Sequence, residues 1–172
     1  MSRSSFATVQ LAIVNLLRSG MPPGVEVTTL SPKQAGTIKG KQSQQGRVNV
    51  ALFRVEMDQT LRNIPARRNQ PGRDQPKTNV QLSYLISANA TTDPTAGGGA
   101  PHLLECAIRV LVAQPMQLLT VADEAGVKTE LQITLTIQPL SLAELTALWT
   151  AMQTGLQPSV VCLAKPVMVG SS

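Results

Sequence analysis

The chain has 172 residues, 42% of them hydrophobic but only 2% aromatic, and a formal net charge of +5. That length favours one domain able to bury around 70% of the surface its unfolded form exposes, with an aliphatic core, because Phe6, Phe53, Tyr84 and Trp149 are the whole aromatic set. No apolar run is long enough to span a bilayer, and Cys106 and Cys162 both lie in apolar stretches, which reads as two buried free thiols rather than a disulfide or a redox pair.

At the start of the chain Phe6, Val9, Ile13, Leu16 and Leu17 recur at helical spacing, and Gly20 with Pro22 and Pro23 ends the helix they predict. Arg3 precedes this stretch, but Gln10 and Asn15 interrupt it and no small-x-small site follows. It therefore fits an amphipathic helix better than a secretion signal, and the protein is expected to be cytoplasmic during assembly. Val25 to Leu30 is short and β-branched, a strand. Residues 31–46 are polar and punctuated by Gly and Lys, a loop. Val48 to Met57 is the next strand, apolar on both faces except at Asn49, Arg54 and Glu56, which predicts a central position in a sheet.

Residues 58–78 form a long basic loop. Val80, Leu82, Tyr84 and Ile86 then alternate with Gln81, Ser83 and Ser87, as in a half-buried strand. Residues 90–101, with Pro94 and three successive glycines, read as a flexible loop leading into a helix on which Leu103, Leu104, Ala107, Ile108 and Leu111 share a face. That helix stops near Pro115. Leu131, Ile133, Leu135 and Ile137 alternate with Gln132, Thr134, Thr136 and Gln138, the cleanest strand of all. Ser141 stands as an N-cap, with Glu144 placed to close a capping box. Leu142, Leu145, Leu148, Trp149 and Met152 follow as a buried stripe. Pro158 to Val169 is extended, and Pro166 limits it to an edge or a bulge. The expected architecture is a single α/β (α+β) domain over residues 1–172. It has a mixed sheet of about five strands, helices packed mainly on one face, and mobile loops near 31–46, 58–78 and 90–101.

The chemistry of an enzyme is missing. His102 is the one histidine, and although it stands four residues before Cys106 on one helical face, two ligands are half a zinc site and no CxxC completes it. Gly97-Gly98-Gly99 lacks the lysine and hydroxyl of a phosphate-binding loop. No catalytic residue, cofactor or metal is expected. Charge offers the one rival function. Lys33, Lys39, Lys41 and Arg47 precede the Val48 strand, and Arg62, Arg67, Arg68, Arg73 and Lys77 follow it, as a nucleic-acid-binding module would require. Neither basic loop holds an aromatic to stack on bases, and no helix is rich in Arg or Lys, so solvated loops or loops facing an acidic protein are the better reading.

The order of short motifs resembles a known family, the cap or tube-terminator proteins of extracellular contractile injection systems, whose N-terminal domain was once catalogued as one of unknown function. The resemblance covers nearly the whole chain. It rests on Val48-Asn49-Val50-Ala51-Leu52-Phe53-Arg54-Val55, Leu61-Arg62-Asn63, Leu82-Ser83-Tyr84-Leu85-Ile86-Ser87-Ala88, Asp93-Pro94, His102-Leu103-Leu104 through Arg109-Val110-Leu111, and Ile137-Gln138-Pro139-Leu140-Ser141 with Glu144-Leu145, Leu148-Trp149 and Pro158-Ser159-Val160. Glu105 departs from it, standing where a small residue is usual, and Ala96 to Pro101 looks like an added loop.

The resemblance implies a tail-terminator-like fold and a structural subunit. Such a subunit would form a ring, six-fold, on the end of the inner tube and sheath of a phage-tail-like particle, released or anchored. Its partners would be further copies of itself and the tube and sheath proteins, with no membrane; nucleic acid is not the expected partner, and a basic-loop nucleic-acid-binding module is the alternative. Arg54, Leu61, Arg62, Asn63, Arg67 and Arg68 are the candidate interface residues, since arginine suits bidentate carboxylate contacts across an interface. A loop closed internally by hydrogen bonds would use the same residues.

Overall fold

The structure, a computed structural model, describes residues 5–37, 46–57, 78–89, 99–122 and 128–169. Ten elements follow in order: α1 (Ser5–Gly20), β1 (Glu26–Thr28), α2 (Pro32–Thr37), β2 (Arg47–Met57), β3 (Thr78–Asn89), α3 (Ala100–Ala113), β4 (Met116–Ala122), β5 (Lys128–Gln138), α4 (Leu142–Ala151) and β6 (Ser159–Val169). The strands form one six-stranded sheet in the order β1-β2-β3-β6-β5-β4. Only the β1–β2 pair is parallel, and every other neighbour is antiparallel.

One face of the sheet carries the main core. Val9, Ile13, Leu16 and Leu17 of α1, spaced by three or four residues, pack there with Leu103, Ala107 and Leu111 of α3. Val48, Val50, Leu82, Tyr84, Ile86, Ile133, Leu135, Cys162 and Ala164 meet them from the strands. The two helices approach closely at Gly20, where an added methyl would collide with the Val110 side chain. Gly99 caps α3 and Pro101 stands in its first turn, where a missing N–H costs nothing.

The opposite face is covered in part, by α4. Trp149 is buried there against Leu85 and Val161, with Phe53, Leu140, Leu148, Met152 and Leu163 around it, and its indole N–H donates to Ser159 Oγ at 3.1 Å. Helices thus lie mainly, but not only, on one face. The capping box forms as its residues dictate: Ser141 Oγ accepts from the Glu144 N–H at 3.3 Å, and Glu144 Oε2 accepts from the Ser141 N–H at 2.8 Å. Leu142, expected in the buried stripe, is instead 71% exposed. Leu140, just before the cap, enters the cluster, which fixes how the chain enters α4.

Other expectations also shift. Pro32–Thr37 is a helix inside the loop expected over 31–46. β4 is an additional strand, so the sheet has six rather than about five. β3 is buried on both faces, not half-buried, because α4 covers the side that carries Ser83 and Ser87. β6 lies at the centre of the sheet. It tolerates Pro166 because its pairing with β5 ends at Lys165 and its register against β3 shifts at that point, so the bulge holds and the edge does not. The Lys165–Pro166 peptide is cis.

Candidate assembly interface

β2 carries the first candidate residue. Between Leu52 and Arg54 its register against β3 shifts by a bulge. Phe53 turns into the Trp149 cluster, and Arg54 then lies opposite Ser83 on the same, α4-bearing face. A bulge bends its strand and re-aims the side chains that follow. Arg54 is exposed and forms an ion pair with Glu56 two residues on. The guanidinium keeps donors for a further carboxylate, since one oxygen occupies only part of its fork. Leu61, Arg62, Asn63, Arg67 and Arg68 lie outside the described residues, so Arg54 is the one member of the candidate set whose position is given.

The beginning of β2 does the opposite job. Arg47, grouped by sequence with a basic loop, is a strand residue, 8% exposed, and donates to Glu26 Oε2 from Nε at 2.9 Å and from Nη2 at 2.6 Å. Asn49 is also buried. It accepts from Thr28 Oγ1 at 2.8 Å and from the Leu30 N–H at 2.9 Å, and donates to the Leu30 carbonyl at 2.9 Å. These two polar side chains bind β1 and its exit to β2, so they serve the fold. Among the described arginines none stands unoccupied: Arg18 donates to the Val27 carbonyl and Arg109 pairs with Glu105 across one helical turn.

Two further surfaces stand out that sequence reading passed over. The first is the outward side of α4. Leu142, Ala143, Thr146, Ala147, Thr150 and Ala151 line a shallow depression there. Thr146 and Thr150 turn their hydroxyls back to the carbonyls four residues earlier, each at 2.8 Å, which satisfies the hydroxyl within the helix. The second is the β4–β5 wing. Leu119 faces the core opposite Leu131, so Met116 and Leu118, opposite Thr134 and Gln132, fall on the other face. They are 60% and 67% exposed. The sign was present in the sequence: Met116 to Ala122 is an apolar run between Pro115 and Asp123-Glu124-Ala125-Gly126, bounded like a strand.

Burial pushes the Cys162 thiol up to about 12, which keeps it protonated and unreactive. His102 Nε2 lies 3.7 Å from Cys106 Sγ on the exposed side of α3, and no group of three or more metal-ligating side chains forms among the described residues. Within the same residues no helix is long and apolar enough to cross a membrane.

A family model, the Pvc16 N-terminal domain, matches residues 8–172. No curated protein matches the chain. Among solved structures, the chain is similar to the sheath/tube terminator of an extracellular contractile injection system, PVC, in its extended state, at 17% identity and a TM-score of 0.68. That superposition covers 100% of this chain and 58% of the other. It is similar also to the tube-terminating cap of the anti-feeding prophage, at 18% identity and a TM-score of 0.68, over 95% of this chain and 54% of that one. At such identities the likeness is one of fold, and this chain spans little more than half the length of either relative.

Proposed function

Since the chain belongs to the Pvc16 N-terminal domain family, we propose that it is a structural cap subunit, forming a ring on the end of the tube and sheath of a contractile injection system. The observation that carries this reading is the fold, shared over the whole chain with a sheath/tube terminator. A tube of identical rings has no intrinsic length, so something must match its last ring and refuse another layer. A cyclic oligomer of this domain would do both, because its side contacts close on themselves and leave two different faces. Six copies are the expected number.

The partners are then further copies of this chain and the tube and sheath proteins. The protein works by contact and not by catalysis, with no cofactor, and assembles in the cytoplasm without a membrane. Arg54 with Leu61, Arg62, Asn63, Arg67 and Arg68 forms the contact region after β2, and the α4 surface and the β4–β5 wing supply additional area. Nucleic-acid binding draws less support, because neither basic loop holds an aromatic to stack on bases, and Arg47, grouped with one of them, is buried in an ion pair with Glu26.

Deleting the gene and imaging the particles by electron microscopy tests the reading. Frayed ends, uncontrolled lengths or tubes without sheath are expected, and particles of normal length with capped ends would refute it.

A further inference from the structure

The sheet ends in two edges with no strand partner among the described residues. On one side β1 takes only Arg47, Val48 and Asn49 of the 11 residues of β2. At the next position the Gln10 side chain donates to the Val50 carbonyl at 3.2 Å, so α1 closes the edge there. From Ala51 to Met57 the strand is paired with β3 on one side and has no strand partner among the described residues on the other. At the far end of the sheet β4 pairs with β5 alone, through all 7 of its residues.

Open edges invite pairing, and folded proteins usually blunt them with charges, prolines or inward-pointing polar groups. β4 carries neither charge nor proline, and Gln117, its polar residue on the core face, turns its amide back to the Gln114 carbonyl. Its sequence, Met116-Gln117-Leu118-Leu119-Thr120-Val121-Ala122, is uncharged and rich in strand formers, and its two large outward side chains are exposed. The open part of β2, equal to it in length, ends in exposed Val55 and Met57 and carries one charged pair, Arg54 with Glu56, on the α4-bearing face.

The topology fixes how the two edges relate. β2 pairs antiparallel with β3, β3 with β6, β6 with β5 and β5 with β4. An even number of reversals separates the edge strands, so β2 and β4 run in the same direction. We propose that β4 of one subunit pairs in parallel with residues 51–57 of β2 in the next, making the sheets of neighbouring copies continuous around the ring. The inference rests on the cap reading and names the contact that closes the ring.

A second copy is the occupant because one molecule presents both halves of the contact. The edges match in length and lie at opposite ends of the same sheet, and their shared direction lets a rotation repeat the pairing until it closes. A strand donated by another protein would satisfy one edge and leave the other open. Main-chain hydrogen bonds supply the affinity of such a contact, and alternate side chains supply its register.

Continuity of the sheet makes a sharp demand on side-chain parity. Arg54 and Glu56, opposite Ser83 and Gln81, share the α4-bearing face with Met116, Leu118 and Thr120, whereas Val55, opposite Leu82, lies on the core face. The test uses a Cys106→Ser background, in which Cys162 stays buried. Arg54→Cys or Glu56→Cys is combined with Met116→Cys, Leu118→Cys or Thr120→Cys, and Val55→Cys with Leu118→Cys is the parity control. Oligomer size is read by native mass spectrometry and on particles from the native host, and disulfides are then formed by mild oxidation.

A ladder of linked multimers from at least one same-face pair, with none from the control or from single cysteines, is the expected result. Oligomers without any same-face ladder, or with equal linking in the control, would overturn the edge contact while leaving the cap reading standing. Absence of oligomers both in isolation and on particles would remove both.

Discussion

The two faces of the sheet are built on different scales. On one, helices of 16 and 14 residues cover the sheet from Val27 of β1 to Leu119 of β4 with a continuous, largely aliphatic core. On the other, a helix of 10 residues covers the middle of the sheet around one tryptophan, and Met116 and Leu118 beyond it remain in water. A monomer selected only for stability has no use for an uncovered apolar wing. The difference teaches that the α1–α3 face holds the larger part of the core, and that the α4 face, on the proposed reading, would serve both folding and assembly.

Truncation inside each cluster should break the comparison most visibly. Leu17→Ala and Trp149→Ala each remove a side chain that is at most 1% exposed, and each is expected to cost about 3–5 kcal/mol. Their consequences should differ in extent. Leu17 is held within the larger core, so its loss lowers the free energy of global unfolding. Trp149 is the buried anchor of α4, so its loss should release that helix first. Amide hydrogen exchange resolves the two: protection lost throughout after Leu17→Ala, but chiefly in α4 after Trp149→Ala. Uniform loss in both variants would mean that the clusters form a single cooperative unit.

A smaller effect, about 2–3 kcal/mol, is expected of Asn49→Ala, measured by urea unfolding. The side chain is 1% exposed and satisfies Thr28 Oγ1 and both main-chain polar groups of Leu30. Removing it strands three partly buried polar groups. A change under 1 kcal/mol would show that water takes its place without penalty.

How far the sequence could reveal this architecture follows from the same residues. Helices α1 and α3 and strand β5 were legible because one face is buried and the other wet, which writes a period of 3.6 or 2 into the chain. β3 was misread as half-buried because its serines fall on a face that α4 closes, and periodicity cannot distinguish a small buried hydroxyl from an exposed one. Arg47 looked like loop charge because its partner, Glu26, is distant in sequence. β4 escaped because a short apolar run by itself fits a strand or a buried helix end, and only the flanking Pro115 and Asp123-Glu124-Ala125-Gly126 favour the strand. Of the candidate interface, Arg54 alone lies among the described residues, on the surface beside a bulge that no local pattern announces.

Alkaline pH sharpens the contrast from the chemical side. Burial raises the Tyr84 hydroxyl and the Cys162 thiol, and for Tyr84 the neighbouring Cys162 adds to the rise. Both folded values lie above the unfolded ones, so the unfolded chain releases its protons first. The stability tied to these groups is complete below about pH 8.5 and falls as pH rises through the window from an ordinary thiol value to about 12. Cys162→Ala should flatten that fall. Thiol labelling gives a direct check: of the 2 free cysteines, Cys106 is partly exposed and Cys162 buried, so Cys106 should react in the native state and Cys162 only on unfolding. Fast native labelling at Cys162 would contradict a closed core.

Arg54→Ala should have the smallest effect on folding and so the most to say about function. Its side chain is 59% exposed, and its pair with Glu56, 39% exposed, joins two residues of the same strand. Such surface pairs contribute about 0–1 kcal/mol, so the melting temperature should hardly move. Assembly is the sensitive readout, because an arginine that remains in water in the monomer can present its fork to a carboxylate on a neighbour. Incorporation of the variant into particles, scored against wild type expressed in the same cells, should fall. Glu56→Gln removes the internal partner but keeps the guanidinium, and incorporation should be retained. Arg62→Ala and Asn63→Ala, from the same candidate set, belong in the same assay. If Arg54→Ala instead lowers stability as much as Asn49→Ala does, Arg54 braces the bulge from within and its place in the interface is lost. If stability and incorporation both stay at wild-type levels, the contact must be sought along β4 and α4, where the apolar side chains stand exposed.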